Sequence, residues 1–92
     1  MEQLIFNKVG KEYVAEFEAT ADFNLHIERD EPGILALYQR TTTSGEYAEI
    51  EGTREYRYKE VYDCDFIGSI YPKYIKVVSG VEVTKAEVTI KE

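Results

Sequence analysis

FNLHIERDEPGILALYQ, residues 23–39, is the stretch that decides the fold. In its first half Phe23, Leu25 and Ile27 alternate with Asn24, His26 and Glu28, a period of two that sets three apolar side chains on one face of a half-buried strand. Asp30-Glu31-Pro32-Gly33 then brings a proline that presets φ and a glycine that tolerates a tight reversal. The second half, Ile34-Leu35-Ala36-Leu37-Tyr38, is apolar on both faces, so it predicts a strand that is central or covered on its outer side. Together the halves read as an antiparallel hairpin folded on the Pro-Gly turn. The preferred reading is a loop with an odd number of residues, which directs Leu35 and Leu37 to the Phe23-Leu25-Ile27 face and leaves Tyr38 outside, beside His26, where its hydroxyl meets water or a partner. An even loop would turn Ile34, Ala36 and Tyr38 inward, because a slip of one residue exchanges the faces.

Outward from this hairpin the same alternation continues. Leu4-Ile5-Phe6 reads as a short first strand, with Asn7 to Lys11 reversing the chain at Gly10. From Glu12 to Thr20, Tyr13, Ala15, Phe17 and Ala19 separate from a mostly acidic set on the other face. After the Arg40–Glu46 loop, Tyr47 to Glu51 resumes as a short strand. Arg54 to Phe66 reads as one long strand or as two divided near Lys59-Glu60, with Tyr56, Tyr58, Tyr62, Cys64 and Phe66 on one parity. Tyr74 to Val78 forms another strand. In the last, Val81 and Val83 share one parity while Ala86, Val88 and Ile90 share the other, which predicts a bulge near Thr84-Lys85. About eight strands at this spacing predict an all-β fold, a single antiparallel β-sandwich of jelly-roll or immunoglobulin-like shape over residues 1–92, with little or no helix.

Composition agrees. Eight Tyr and four Phe among six Gly favour strands. Ninety-two residues suffice for one domain that buries roughly 60–65% of the surface of its unfolded chain, enough to stand without metal or disulfide. A net charge of −7 repels phosphate and anionic lipid, so neither nucleic acid nor membrane is expected as a partner. The segment Met1 to Asn7 lacks the basic and apolar regions of a secretion signal, and a cytoplasmic location is expected for the chain as synthesised.

The chemistry-bearing residues are few. Cys64 is the single cysteine and reads as a small core residue. His26 is the single histidine, on a polar strand face, and the alternation points Cys64 away from it, against a Cys–His pair. Asp63 and Asp65 share a face, but the spacing is not that of an EF-hand loop, and a solvated acidic face is the plainer reading. Glu46, Glu49 and Glu51 offer paired carboxylates of the type used in glycoside hydrolysis, a grouping expected by chance among eighteen acidic residues. Arg54, Tyr56, Arg57, Tyr58 and Lys59 interleave cations with rings as single-strand nucleic-acid binders do, yet alternation sends the two kinds to opposite faces, as in a core strand. Phosphate loops, GxSxG and HExxH are absent from the sequence. No catalytic residue, cofactor or metal ligand is assigned.

Gly33-Ile34-Leu35-Ala36-Leu37-Tyr38-Gln39-Arg40, the following Ser44-Gly45 turn with aromatic Tyr47, and Tyr74-Ile75-Lys76-Val77-Val78-Ser79-Gly80 resemble small β-sandwich proteins encoded by phages and prophages. In that family a strand ending in Gln-Arg precedes a glycine turn and an aromatic residue, often Trp where this chain has Tyr47. The likeness covers about Ala19 to Gly80. It implies a virion structural or decorating part, located in the virion, and it implies no catalytic residue. The expectation is a non-catalytic interaction domain that self-associates or binds another protein through Tyr38, His26 and Tyr47. The alternative is a carbohydrate-binding module that uses surface tyrosines to hold a glycan.

Overall fold

The two halves of the organising stretch form strands, but they do not pair with each other. In the computed structural model, which describes residues 2–42, 44–50, 55–57 (by backbone only), 61–68 and 70–91, the strands are β1 (Glu2–Gln3), β2 (Asn7–Val9), β3 (Glu12–Ala19), β4 (Phe23–Arg29), β5 (Gly33–Arg40), β6 (Ala48–Glu49), β7 (Glu55–Arg57), β8 (Val61–Phe66), β9 (Lys73–Ser79) and β10 (Val83–Ile90). One sheet runs β1-β10-β4-β8; the other runs β2-β3-β9-β5-β6, with β7 also on β5. All the pairings are antiparallel. Among the described residues no helix is long and apolar enough to cross a membrane.

The expected hairpin is therefore corrected: β4 lies in the four-stranded sheet and β5 in the six-stranded one. The reason is burial. Phe23, Leu25 and Ile27 on β4 and Leu35 and Leu37 on β5 are all buried, and facing each other across two sheets covers both sets, whereas a lone hairpin would line them up on one wet face. The crossing is pinned by Arg29, the last residue of β4, which is 1% exposed. Its guanidinium donates to the carbonyls of Gly33 (3.0 Å) and Ile34 (3.2 Å) and to Ser79 Oγ (3.1 Å), tying the turn to the end of β9. Gly33 is needed there for space: a Cβ would stand 2.8 Å from a Val81 methyl.

Crossing is the rule in this chain. From β3 onward each connection passes between sheets except β5 to β6 and β6 to β7, so sequence neighbours face each other rather than pair. Of the two expected shapes, this alternation is the jelly-roll winding; an immunoglobulin sandwich keeps more successive strands in one sheet. The N-terminus is a second correction. Leu4-Ile5-Phe6 is not a strand but the step between β1 and β2, in which Leu4 is buried, its N–H donates to Ala86 O (2.9 Å), and Ile5 is exposed. The chain then reverses at Gly10, whose φ of 64° suits glycine.

Other expectations hold. The register of β10 on β4 shifts between Val83 and Lys85, and beyond that bulge Ala86 and Val88 are buried. The segment from Arg54 onward divides: β7 belongs to one sheet and β8 to the other, while residues 58–60 lie outside the described residues. Between the sheets Phe23 stacks on Phe66 (4.9 Å between centroids) and meets the edge of Phe17 (5.3 Å).

Candidate functional site

Alternation along β5 and β9 turns Tyr38, Arg40, Tyr74 and Lys76 to the outer face of the six-stranded sheet, since Leu37, Gln39, Ile75 and Val77 take the inner parity. Pairing sets Tyr38 opposite Lys76, Arg40 opposite Tyr74, and Glu49 of β6 opposite Tyr38. The side chains then interleave. Lys76 Nζ lies 4.9 Å from the Tyr38 ring centre and 4.8 Å from that of Tyr47, and the Arg40 guanidinium stacks at 4.3 Å on Tyr47 and 6.0 Å from Tyr74. Cations held over ring faces are attracted by the ring quadrupole, so three tyrosines and two cations form one continuous ladder. Burial, and after it the charge of Glu16, pushes the Tyr47 hydroxyl above its ordinary value, with Arg40 acting the other way. Tyr47 is thus a neutral hydrogen-bonding phenol at any physiological pH.

Arg40 Nη1 donates to Gly45 O (2.8 Å), while Arg40 Nε is buried and has no hydrogen-bond partner among the described residues.

His26 lies on the opposite side of the molecule. Its strand, β4, is in the four-stranded sheet, and its ring projects from that sheet's outer face, so the expectation that Tyr38 stands beside His26 is overturned by the sheet crossing. His26 Nδ1 is 2.8 Å from Asp63 Oδ2, on the paired strand β8, and Nε2 is 2.7 Å from Glu28 Oε2, two residues along the same strand. Two carboxylates accept from both ring nitrogens only when the ring is protonated. Accordingly Glu28 first and Asp63 next raise the His26 pKa against the opposing effect of burial. The hydrogen bond to His26 holds Glu28 below its ordinary value, and Asn24 followed by His26 does the same for Asp63.

Asn24 Nδ2 donates to both Asp63 (2.8 Å) and Asp65 (3.0 Å), and Lys91 pairs with Asp65 at 3.0 Å. The aspartates that calcium would require are therefore engaged by an amide, an imidazole and an ammonium. Cys64 faces the other way, in register with Leu25 and partly packed on the core.

Of the three residues expected to form an interaction surface, the structure unites Tyr38 and Tyr47 through Lys76 and leaves His26 on the far face. Sequence reasoning missed Arg40, Tyr74 and Lys76, although their parity with Tyr38 across β5 and β9 was legible once the pairing of those strands was known. Glu46 and Glu49 are exposed, and Glu51 lies outside the described residues, as do Arg54, Tyr58, Lys59 and the side chains of Tyr56 and Arg57. No family model matches this chain, and no curated protein and no solved structure matches it either.

Proposed function

We propose that this chain is a non-catalytic structural domain that self-associates through the outer face of its six-stranded sheet. The observation that carries the reading is the ladder of Tyr38, Tyr47 and Tyr74 with Arg40 and Lys76. Tyrosine and arginine are the residues that dominate protein contacts, because they bury large amphipathic area at low entropic cost. The same ladder weighs against the glycan reading: a sugar stacks on open ring faces, and here Lys76 and Arg40 already sit over Tyr38 and Tyr47. Ile34, outward on β5 and 41% exposed, extends the apolar part of this face. An assembly part of phage or prophage origin, as the sequence resemblance implies, is the setting such a surface suits.

Light scattering over a concentration series tests the proposal. The wild-type chain is expected to shift from monomer to oligomer, and Tyr38→Ser with Tyr47→Ser to remain monomeric with an unchanged circular dichroism spectrum. A wild-type chain that stays monomeric up to about 1 mM, a weak-affinity limit worth about 4 kcal/mol, overturns it.

A further inference from the structure

We propose a peptide site at one end of the sandwich, which takes a segment of another protein that sets an aliphatic side chain beside a carboxylate. Two adjoining clefts share Gln39 and Lys73 as a common wall. The first, of about 190 Å³, is floored by Phe23, Phe66 and Ile75, with Ile67 at its rim. It is smaller than a cofactor site and suited to one aliphatic side chain. Ile67 is 85% exposed and Ile70, on the second cleft, 63%, which is costly surface for a chain that leaves it uncovered.

The second cleft, of about 370 Å³, is lined by Arg40, Thr41, Thr42 and Lys73, with the Glu46 carboxylate at one side. Neither Arg40 nor Lys73 is engaged by a carboxylate among the described residues, a condition they share with Lys8, Lys11 and Lys76; what sets them apart is that both line one cleft. Lys73 Nζ rests 5.0 Å from the Tyr71 ring centre, and Tyr71 itself is fixed by donating to Asp22 Oδ1 (2.6 Å). Two cations that no described carboxylate engages, together with two threonine hydroxyls, make a cradle for a carboxylate. The apolar cleft next to it selects what the carboxylate is attached to. Arg40 belongs both to this site and to the tyrosine ladder, whereas Lys73 and Ile67 lie outside the ladder, so their variants probe this site alone.

A fluorescein-labelled peptide of alternating Asp and Leu, followed by fluorescence anisotropy on the full chain, tests the site. Saturable binding is expected, weaker by about tenfold or more for an Asn–Leu peptide, for an Asp–Ser peptide, and for the Lys73→Gln and Ile67→Ser variants. Lys85→Gln, on the other sheet's outer face, should bind as wild type. Light scattering on Lys73→Gln should match wild type, so loss of this site and loss of self-association are read separately. Absence of saturable binding overturns the proposal, as does equal binding of either control peptide or unchanged binding in both variants with native circular dichroism. Octanoate that competes as well as the peptide overturns it too, by assigning the cleft to a small amphiphile.

Discussion

His26 is held by carboxylates from two strands, and its protonation belongs to the folded state more than to the unfolded one. Because Glu28 and Asp63 raise its folded pKa above 6.5, the stability it contributes is complete below about pH 6.5 and is lost as the pH rises through the raised value. Glu28 and Asp63 behave oppositely. Their folded values lie below 4.5 and 3.8, so their contribution is present above those values and lost as the pH falls through the lowered ones. The facing groups include Glu87 and Lys85 on β10, which pair with each other at 3.6 Å, and Asp65 on β8, held by Lys91. Urea unfolding should therefore show wild type more stable than His26→Gln at about pH 6, with the gap narrowing by about pH 8. The effect should stay within about 1 kcal/mol, since the cluster is open to solvent. A gap that widens with pH would contradict the assignment.

At the scale of elements, the decisive device is the passage from β4 to β5. Alternation in Phe23–Glu28 and the Pro-Gly turn were readable in the sequence, because period and turn chemistry are local. Which strand lies beside which is not local, and the readable pattern fits a hairpin and a sheet crossing equally well. Arg29 shows the same gap: nothing local names its partners, and it is buried because the crossing brings two carbonyls and Ser79 Oγ to its guanidinium. Gly33→Ala should force Val81 aside and cost about 1–3 kcal/mol in denaturant unfolding. Adding Val81→Ala should recover part of that loss, a coupling that a double-mutant cycle measures. Purely additive losses would mean that the two residues do not meet.

For the whole molecule, the winding joins strands far apart in the chain: β1 pairs with β10, β3 with β9, and β4 with β10. Such long loops must close before their pairing yields any stabilisation, so folding should take milliseconds to seconds rather than microseconds, as stopped-flow refolding would show. A microsecond phase that carries the full native signal would be inconsistent with this topology.

The amino-acid sequence by itself determined that the chain is rich in strands, that Phe23, Leu25 and Ile27 face a core, and that β10 carries a bulge, because each follows from side-chain parity within a few residues. Only the tertiary structure decided that β4 and β5 face each other across the sandwich, that Tyr38 and His26 look out from opposite sides, and that Arg40, Tyr47, Tyr74 and Lys76 meet. Parity states which face a residue takes within its own strand. The pairing of distant strands, set by how two apolar sheets cover each other, states which residues share that face.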